Sequence, residues 1–346
     1  MVRCFKTKKE NTQELKKFLR SKSWFNDQFK IGHSGKYVLL PIIDKAKQKD
    51  IVNKFIGTIE ERNLIKIDDK KVENLRDALK KVIPADKVES INRGFEVVGD
   101  IAVLEVPEEI VPLEKSIAWT LKRMKPSINI VAKKANKTNG KYRIRKIKVL
   151  VGENRTETIH KESGVKIKTD LNKAYFSARL GTERLRVLKL IKPKENVLVV
   201  FAGVGPYPLV IAKHKPLSKI TAIEWNPAAV RFFKENLKLN KFENRINIVK
   251  GDAHIEIPNL NEKFNRIIMV LPGESHKFLK ETLNVAKKGA VIHLYQFEHV
   301  DKVKERGAEI KQMIEKLGRK VKSIKGVRSG YFAPKINRYS YDILLE

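Results

Sequence analysis

From about residue 171 onwards the apolar positions come in short runs that alternate with helical periods. The run Val197–Val200 is too short for a helix and is rich in β-branched residues, so it predicts a strand buried on both faces. The same pattern places strands at 197–201, 220–224, 246–249, 266–270 and 290–295. Helices fall at 181–191, 207–213, 227–239, 275–287 and 300–317. Such alternation predicts a mostly parallel sheet with helices on both faces. Val321–Lys325 and Tyr339–Leu345 are strand-like and separated by a loop without helical period, which suits a hairpin whose last strand runs backwards.

Upstream the pattern is shorter and mixed. Residues 1–62 suggest a helix at Thr12–Phe18, the apolar strand Tyr37–Pro41 and a helix near Lys45–Phe55. The charged run Glu60–Asp69 is expected to be a linker or a solvated helix end. A second part, 68–170, begins with a helix at Val72–Val82. It continues with strands Phe95–Val98 and Ile101–Val106 about a Gly99–Asp100 turn. Asn139–Gly140 marks another tight turn before Tyr142–Val151, and Thr156–His160 with Lys166–Lys168 predicts a hairpin around Ser163–Gly164. The expected division is 1–62, 68–170 and 171–346: two smaller α+β domains before an α/β domain.

Charge adds a partner to this outline. The net charge of +33 opposes compaction by self-repulsion and fits a polyanion, although a generally lysine-rich surface would produce the same number. Clustering favours nucleic acid: between Glu114 and Glu153 there is no acid, while lysines and arginines recur throughout. With 346 residues and 42% hydrophobic content the chain can bury sizeable cores. Cys4 is the only cysteine, which excludes an intrachain disulfide and a multi-cysteine zinc site; the histidines have no metal-ligand spacing. No apolar run approaches the roughly 20 residues of a membrane span, and no signal-peptide core opens the sequence. A cytoplasmic protein without a membrane partner is expected, and a monomer is the simpler expectation.

The candidate chemistry lies at the ends of the predicted strands. The first runs into Gly203 and Gly205, where a backbone without side chains turns sharply and lets a ligand approach. Glu224 ends the next strand, where a carboxylate can accept hydrogen bonds from a ribose. Asp252, after the third strand, can accept from an adenine amino group. A glycine pair alone is usually a plain turn; the pair with two acids at consecutive strand ends points to a nucleoside. The third glycine of a dinucleotide fingerprint is absent, and so is a phosphate-cradling G-x-x-x-x-G-K-[ST] loop. A phosphate-free nucleoside such as S-adenosylmethionine suits this loop.

Several blocks resemble the archaeal and eukaryal tRNA (guanine-37-N1)-methyltransferase family. They are Phe201-Ala-Gly-Val-Gly-Pro206, Glu224-Trp-Asn-Pro227, Gly152-Glu-Asn-Arg-Thr156 with His160, and Tyr175-Phe-Ser-Ala-Arg-Leu-Gly181 with Glu183-Arg184. Phe95-Glu-Val-Val-Gly-Asp100 and Tyr331-Phe-Ala-Pro334 are similar too, so the resemblance covers nearly the whole chain. It implies a C-terminal class I (Rossmann-like) methyltransferase domain with S-adenosylmethionine held by Phe201, Ala202, Gly203, Val204, Gly205, Glu224, Trp225, Asp252, Ala253, Leu271 and Pro272. It implies tRNA as partner, with the N-terminal domain at the outer corner and the other two at the anticodon loop. Guanine N1 is a protonated, amide-like nitrogen and a poor nucleophile, so a base must take its proton while a cation steadies charge on O6. By resemblance Glu183 is the base and Arg143 the stabiliser. Read without the family, Glu183 is a helix-start dipole partner and Arg143 a phosphate contact.

Tyr175 either stacks on the target base or fills a core. Arg155 and Arg179 either meet tRNA phosphates or brace carboxylates, and Lys133, Lys134 and Lys137 are generic phosphate candidates. Two positions depart from the family pattern. Val199 stands where an aspartate is common, and Val270 stands where an asparagine opens an Asn-Leu-Pro or Asn-Pro-Pro block. Val270 keeps open C7 methylation of the wyosine precursor, or aminocarboxypropyl transfer, at the same nucleotide. Both valines together motivate a further alternative, a tRNA-binding protein with a degenerate cofactor site.

Overall fold

The structure is a computed structural model that describes residues 1–65, 75–89, 94–135, 144 and 146–346. The chain forms two compact units, Met1–Ala78 and Leu79–Glu346.

In the first unit, strand Val2–Lys8 lies between Tyr37–Pro41 and Thr58–Arg62, antiparallel to both, with Gly32–Ser34 at the far edge. Helix Thr12–Ser21 places Leu15 and Leu19, one helical turn apart, on a core with Phe5, Leu40 and Ile51. The charged run expected as a linker or helix end is instead a strand through Arg62. Ile59 turns to the core while Glu60 pairs across the sheet with Lys6 at 2.8 Å. Charge on an edge strand hides its period, and it also protects that edge from stray pairing. The helix expected at Lys45–Phe55 is confined to Gln48–Val52.

The second unit opens on a four-stranded sheet: Glu96–Val98, Ile101–Leu104, Ile130–Lys134 and Ile147–Val151. Its two middle strands are parallel, so a crossover must join them, and helix Glu114–Met124 supplies it. That helix lies in the acid-poor segment, where lysines on its outer face obscured the buried Ile117, Ala118 and Leu121. The turn expected at Asn139–Gly140 lies outside the described residues. The hairpin Glu157–Glu162 with Val165–Asp170 forms as expected.

The remainder is the α/β layer. Its elements in order are α1 (Gly181–Leu190), β1 (Asn196–Val200), α2 (Pro206–His214), β2 (Lys219–Glu224), α3 (Pro227–Asn240), β3 (Ile246–Lys250), β4 (Phe264–Met269), α4 (Leu279–Val285), β5 (Ala286–His299), α5 (Val303–Lys316), β6 (Val321–Ala333) and β7 (Ile336–Leu345). The seven strands lie in the order β3-β2-β1-β4-β5-β7-β6, with β1 to β5 parallel and β7 antiparallel to β5. Along β1, Val197 and Val199 face a core with α1, α2 and α3, while Leu198 and Val200 face one with α4 and α5. A continuous apolar run is what a strand covered on both faces requires.

Asn236 and Asn240, one turn apart on α3, tie the preceding hairpin to this layer. Each side-chain amide exchanges both hydrogen bonds with a strand residue, Lys168 or Lys166, at 2.7–2.9 Å. The asparagines thus satisfy an edge that would otherwise lack partners. Two expectations are corrected at the C-terminal end. The helix expected at 275–287 is a 3-10 turn Ser275–Phe278 followed by α4, and β5 begins at Ala286. The loop expected between the last two strands is almost wholly paired, because β6 and β7 form one long hairpin.

Candidate functional site

β1 ends in a loop of left-handed backbone, in which Gly205 leaves no room for a side chain. Phe201, Gly203 and Gly205 all have positive φ, at 63°, 59° and 87°. Gly205 also lies against the ring of Phe233 on α3, so that a Cβ there would overlap ring carbons. The loop then leads directly into α2. Glu224, the last residue of β2, accepts from Gly203 N at 2.6 Å and from Asn226 N at 2.7 Å. Burial pushes its carboxyl up, while these backbone N–H groups pull it back toward the ionised form. After β3, one oxygen of Asp252 caps a single-turn helix through His254 N at 3.0 Å. Both carboxylates keep acceptor lone pairs for a ligand.

These strand ends open into a cavity of about 620 Å³, within the range of small-molecule sites. Phe201, Gly203, Glu224, Trp225, Asp252, Ala253, Leu271 and Pro272 line it, while Ala202, Val204 and Gly205 lie behind and shape the loop. His254 stacks on Phe278 at 4.0 Å, and Phe201 meets Phe278 edge-on at 4.8 Å, giving the Asp252 end an aromatic wall. Acceptors for ribose and amino groups beside aromatic and apolar faces fit the adenosine part of S-adenosylmethionine. Val199, at the position of the common aspartate, is fully buried in the core.

Tyr175, Val270, Tyr295, Phe297, Phe332 and Arg338 also line the cavity. Glu183, near the start of α1, is buried just behind this lining. Its carboxylate is held bidentately by Arg186 at 2.7 and 2.8 Å, and Tyr295 Oη donates to Glu183 Oε1 at 2.6 Å. Because Tyr295 spends its proton on the carboxylate, Tyr207, 2.7 Å away, must donate to Tyr295. Burial pushes both phenols up, so they act as donors. Arg186 is shared: it also meets Asp342 at 2.5 and 3.1 Å. Glu183 sits in the first turn of α1, as local sequence allows, and its carboxylate also joins a side-chain network reaching β5 and β7.

The remaining expected residues divide clearly. Tyr175 lines the cavity and is about 37% exposed, as a residue that meets a ligand must be. Arg155 is engaged by Asp100, by Glu153 at 2.8 Å and by the carbonyl of Glu157 at 2.7 Å, so it braces the hairpin to the Gly99–Asp100 turn. Those bonds hold the Asp100 carboxyl well below the usual range. Arg179 is exposed and has no carboxylate partner among the described residues. Lys133 is bound to Glu114, and Lys134 meets Glu105 at 3.3 Å. Arg143 and Lys137 lie outside the described residues. Within the family-like blocks, Arg184 is buried against Glu162, and His160 Nδ1 accepts from Gly99 N at 3.2 Å. Sequence reading missed Tyr295, Phe297 and Arg338, which belong to no local motif and reach the cavity only through strand pairing.

Residues 158–325 match the model of the TRM5/TYW2 methyltransferase domain, 75–156 a TYW2 N-terminal domain and 4–50 a tRNA methyltransferase 5 N-terminal domain. The tRNA (guanine(37)-N(1))-methyltransferase Trm5b of Pyrococcus abyssi is 33% identical over 86% of this chain and 87% of its own length. The tRNA (guanine(37)-N(1))/4-demethylwyosine(37)-methyltransferase Taw22 of Nanoarchaeum equitans is 32% identical over 62% of this chain and 88% of its own. Among solved structures, Trm5b from Pyrococcus abyssi matches with a TM-score of 0.72 and 29% identity over the whole of both chains. A complex of aTrm5 with tRNALeu gives 0.67 and 30%, again over both whole chains. TYW2 of M. jannaschii in complex with AdoMet gives 0.55 and 27% over 73% of this chain and 99% of that one.

Proposed function

This chain belongs to the TRM5/TYW2 methyltransferase family, and we propose that it transfers a methyl group from S-adenosylmethionine to N1 of guanosine 37 in tRNA. One observation carries the reading: a single cavity joins the strand-end acceptors Glu224 and Asp252 to Tyr295, the hydrogen-bond partner of Glu183. Cofactor acceptors and a candidate base therefore serve one space.

S-adenosylmethionine, when bound, supplies an electrophilic methyl group on a sulfonium. Glu224 would accept hydrogen bonds from the ribose hydroxyls and Asp252 from the adenine amino group. Trp225, Ala253, Leu271 and Pro272 exclude water around them, and Tyr175 stacks on the flipped base. Glu183 takes the N1 proton, which turns an amide-like nitrogen into a nucleophile. Arg186 and Tyr295 hold its carboxylate in place, and a base fixed by donors needs no reorganisation at the moment of transfer. Arg143 steadies charge on O6, and Arg179 with Lys133, Lys134 and Lys137 contributes to phosphate binding. In this reading the parts 1–62, 68–170 and 171–346 act together as a monomer on one tRNA in the cytoplasm. Among the described residues no helix is long and apolar enough to cross a membrane.

A second reading is favoured by Val270, which lines the cavity where a polar side chain is common. It is C7 methylation of the wyosine precursor, or aminocarboxypropyl transfer, in addition to or instead of N1 methylation. Incubation with labelled cofactor and unmodified tRNA bearing G37 or A37, followed by nucleoside mass spectrometry, tests the first reading. Label on N1 of G37 alone is expected, and no transfer at millimolar cofactor overturns it. Precursor-containing tRNA tests the second.

A further inference from the structure

One face of the β5–β7 pair carries three residues from each strand in direct opposition: His293 with Asp342, Tyr295 with Ser340, and Phe297 with Arg338. The first two pairs run into the network behind Glu183. The third reaches the cavity. Arg338 lines it beside Phe297, whose ring stacks on that of the half-exposed Phe332 at 4.0 Å and 31°. Its guanidinium makes only two long hydrogen bonds, 3.3 Å each, to the hydroxyl and carbonyl of Ser329, and no carboxylate pairs with it among the described residues. It rests over Gly330, where a Cβ would come within 2.6 Å of a terminal nitrogen, so the absence of a side chain gives it room. Phe297, its partner across the strands, lies two residues from Tyr295 on the same face of β5, which places Arg338 at the Glu183 end.

An arginine fork with unused donors beside an aromatic wall, with no carboxylate to neutralise it among the described residues, suits recognition of a pair of adjacent acceptors. Guanine presents two adjacent acceptors, O6 and N7, which match such a fork, whereas adenine presents a donor at one of them. We propose that Arg338 reads the O6/N7 edge of the target guanine, sharing the two lone pairs of O6 with Arg143, with Phe332 and Phe297 forming the wall against which the base is seated. This rests on the methyl-transfer reading above and adds its specificity determinant: N1 adjoins O6, so a base held by that edge turns N1 towards the buried carboxylate.

The test uses the full chain and two tRNA substrates that differ at one ring position, G37 and 7-deazaguanosine 37, in single-turnover methylation with enzyme in excess of tRNA but below saturation. The wild type is expected to act about tenfold more slowly on the 7-deaza substrate, because one arm of the fork loses its acceptor. Arg338→Ala is expected to be slow on both and to show no N7 preference, while its affinity for S-adenosylmethionine, measured by calorimetry, stays within about threefold of wild type. Arg338→Lys, which keeps the charge without the fork, should recover part of the rate on G37 and little of the N7 preference. A wild type indifferent to N7, or an equal penalty in wild type and Arg338→Ala, overturns the assignment. Loss of cofactor affinity with N7 preference intact would assign the guanidinium to the cofactor carboxylate and overturn it equally. A wild type that leaves N1 of G37 unmodified overturns the methyl-transfer reading itself.

Discussion

Gly205 lies against the ring of Phe233, and no side chain fits between them. Its φ of +87° adds a backbone conformation that other residues adopt only under strain. Gly205→Ala should therefore destabilise the α/β layer by roughly 3 kcal/mol, from strain and overpacking together. Gly203 shares the positive φ, but the atom nearest its missing Cβ is 3.5 Å away, so Gly203→Ala should cost about 1 kcal/mol. Urea unfolding of both variants checks the order, and an equal cost would remove Phe233 from the explanation.

The Glu224 carboxyl is pushed above its usual value by burial, against the pull of the Asn226 and Gly203 N–H groups. A ribose needs the ionised form, because a protonated carboxyl gives up an acceptor. Cofactor affinity is therefore expected to be level at high pH and to fall as pH drops through the raised value, beginning at a higher pH than for an exposed glutamate. Cofactor binding in that range should release a proton. Glu224→Gln should bind roughly tenfold more weakly, with that pH dependence removed. Calorimetry in buffers of different ionisation enthalpy measures both effects.

The alternation of short apolar runs and helical periods contained the parallel sheet. Glu224 and Asp252 were legible because a strand end is a local feature. Tyr295 and Arg186 were not, since Tyr295 reaches Glu183 across 112 residues and Arg186 reaches Asp342 across 156. Those meetings are fixed by the β5–β7 register, which no window of sequence contains. Thr58–Arg62 and Glu114–Met124 escaped for a different reason: long charged side chains cover their outer faces and mask the period beneath.

Glu183 is bound by two donors, Arg186 and Tyr295. Glu183→Gln keeps the size of the side chain but cannot take a proton. Single-turnover methylation should fall by two to four orders of magnitude, within the range for loss of a general base, while tRNA affinity changes less than about threefold. Equal loss in rate and affinity would assign Glu183 a structural role. Arg186→Ala, which frees one flank of the carboxylate and leaves Asp342 with His293 and Ser340 alone, should lower both rate and stability.

His293 is fully buried, and its tautomer follows from its neighbours. Arg266 can only donate, so Nε2 accepts at 2.8 Å and Nδ1–H donates to Asp342 at 2.7 Å. A proton on Nε2 would oppose the guanidinium, and burial reinforces this by pushing the imidazole below its usual value. The unfolded chain then binds the proton first as pH falls. Stability should decline from about pH 7 downwards, by at most about 1.4 kcal/mol per pH unit for this group. His160 and His276 are lowered too, so His293→Gln should reduce the slope by about one proton and leave a remainder. Chemical denaturation at several pH values reads the slope even if the variant is less stable throughout. An unchanged slope would mean that His293 is already charged in the fold.

Val270 tests whether the cavity was tuned for the base by its polar groups. Its backbone N–H is committed to Val200 O at 3.2 Å, so only the side chain is free to vary, and the residue lines the cavity that Glu224, Asp252 and Tyr295 share. Asparagine is close to valine in volume and brings one acceptor and two donors to a wall that is otherwise apolar at this point. If N1 of guanine is the target, an added hydrogen bond to the base should raise the single-turnover rate or the affinity for tRNA about tenfold, the worth of one bond in a water-poor site. If the protein serves the larger tricyclic base, the apolar wall is the fitted one, and Val270→Asn should slow transfer to precursor-containing tRNA while leaving G37 tRNA unimproved. Parallel assays of one variant on the two substrates therefore separate the readings, because one expects a gain on G37 tRNA and the other a loss on precursor-containing tRNA with no gain on G37.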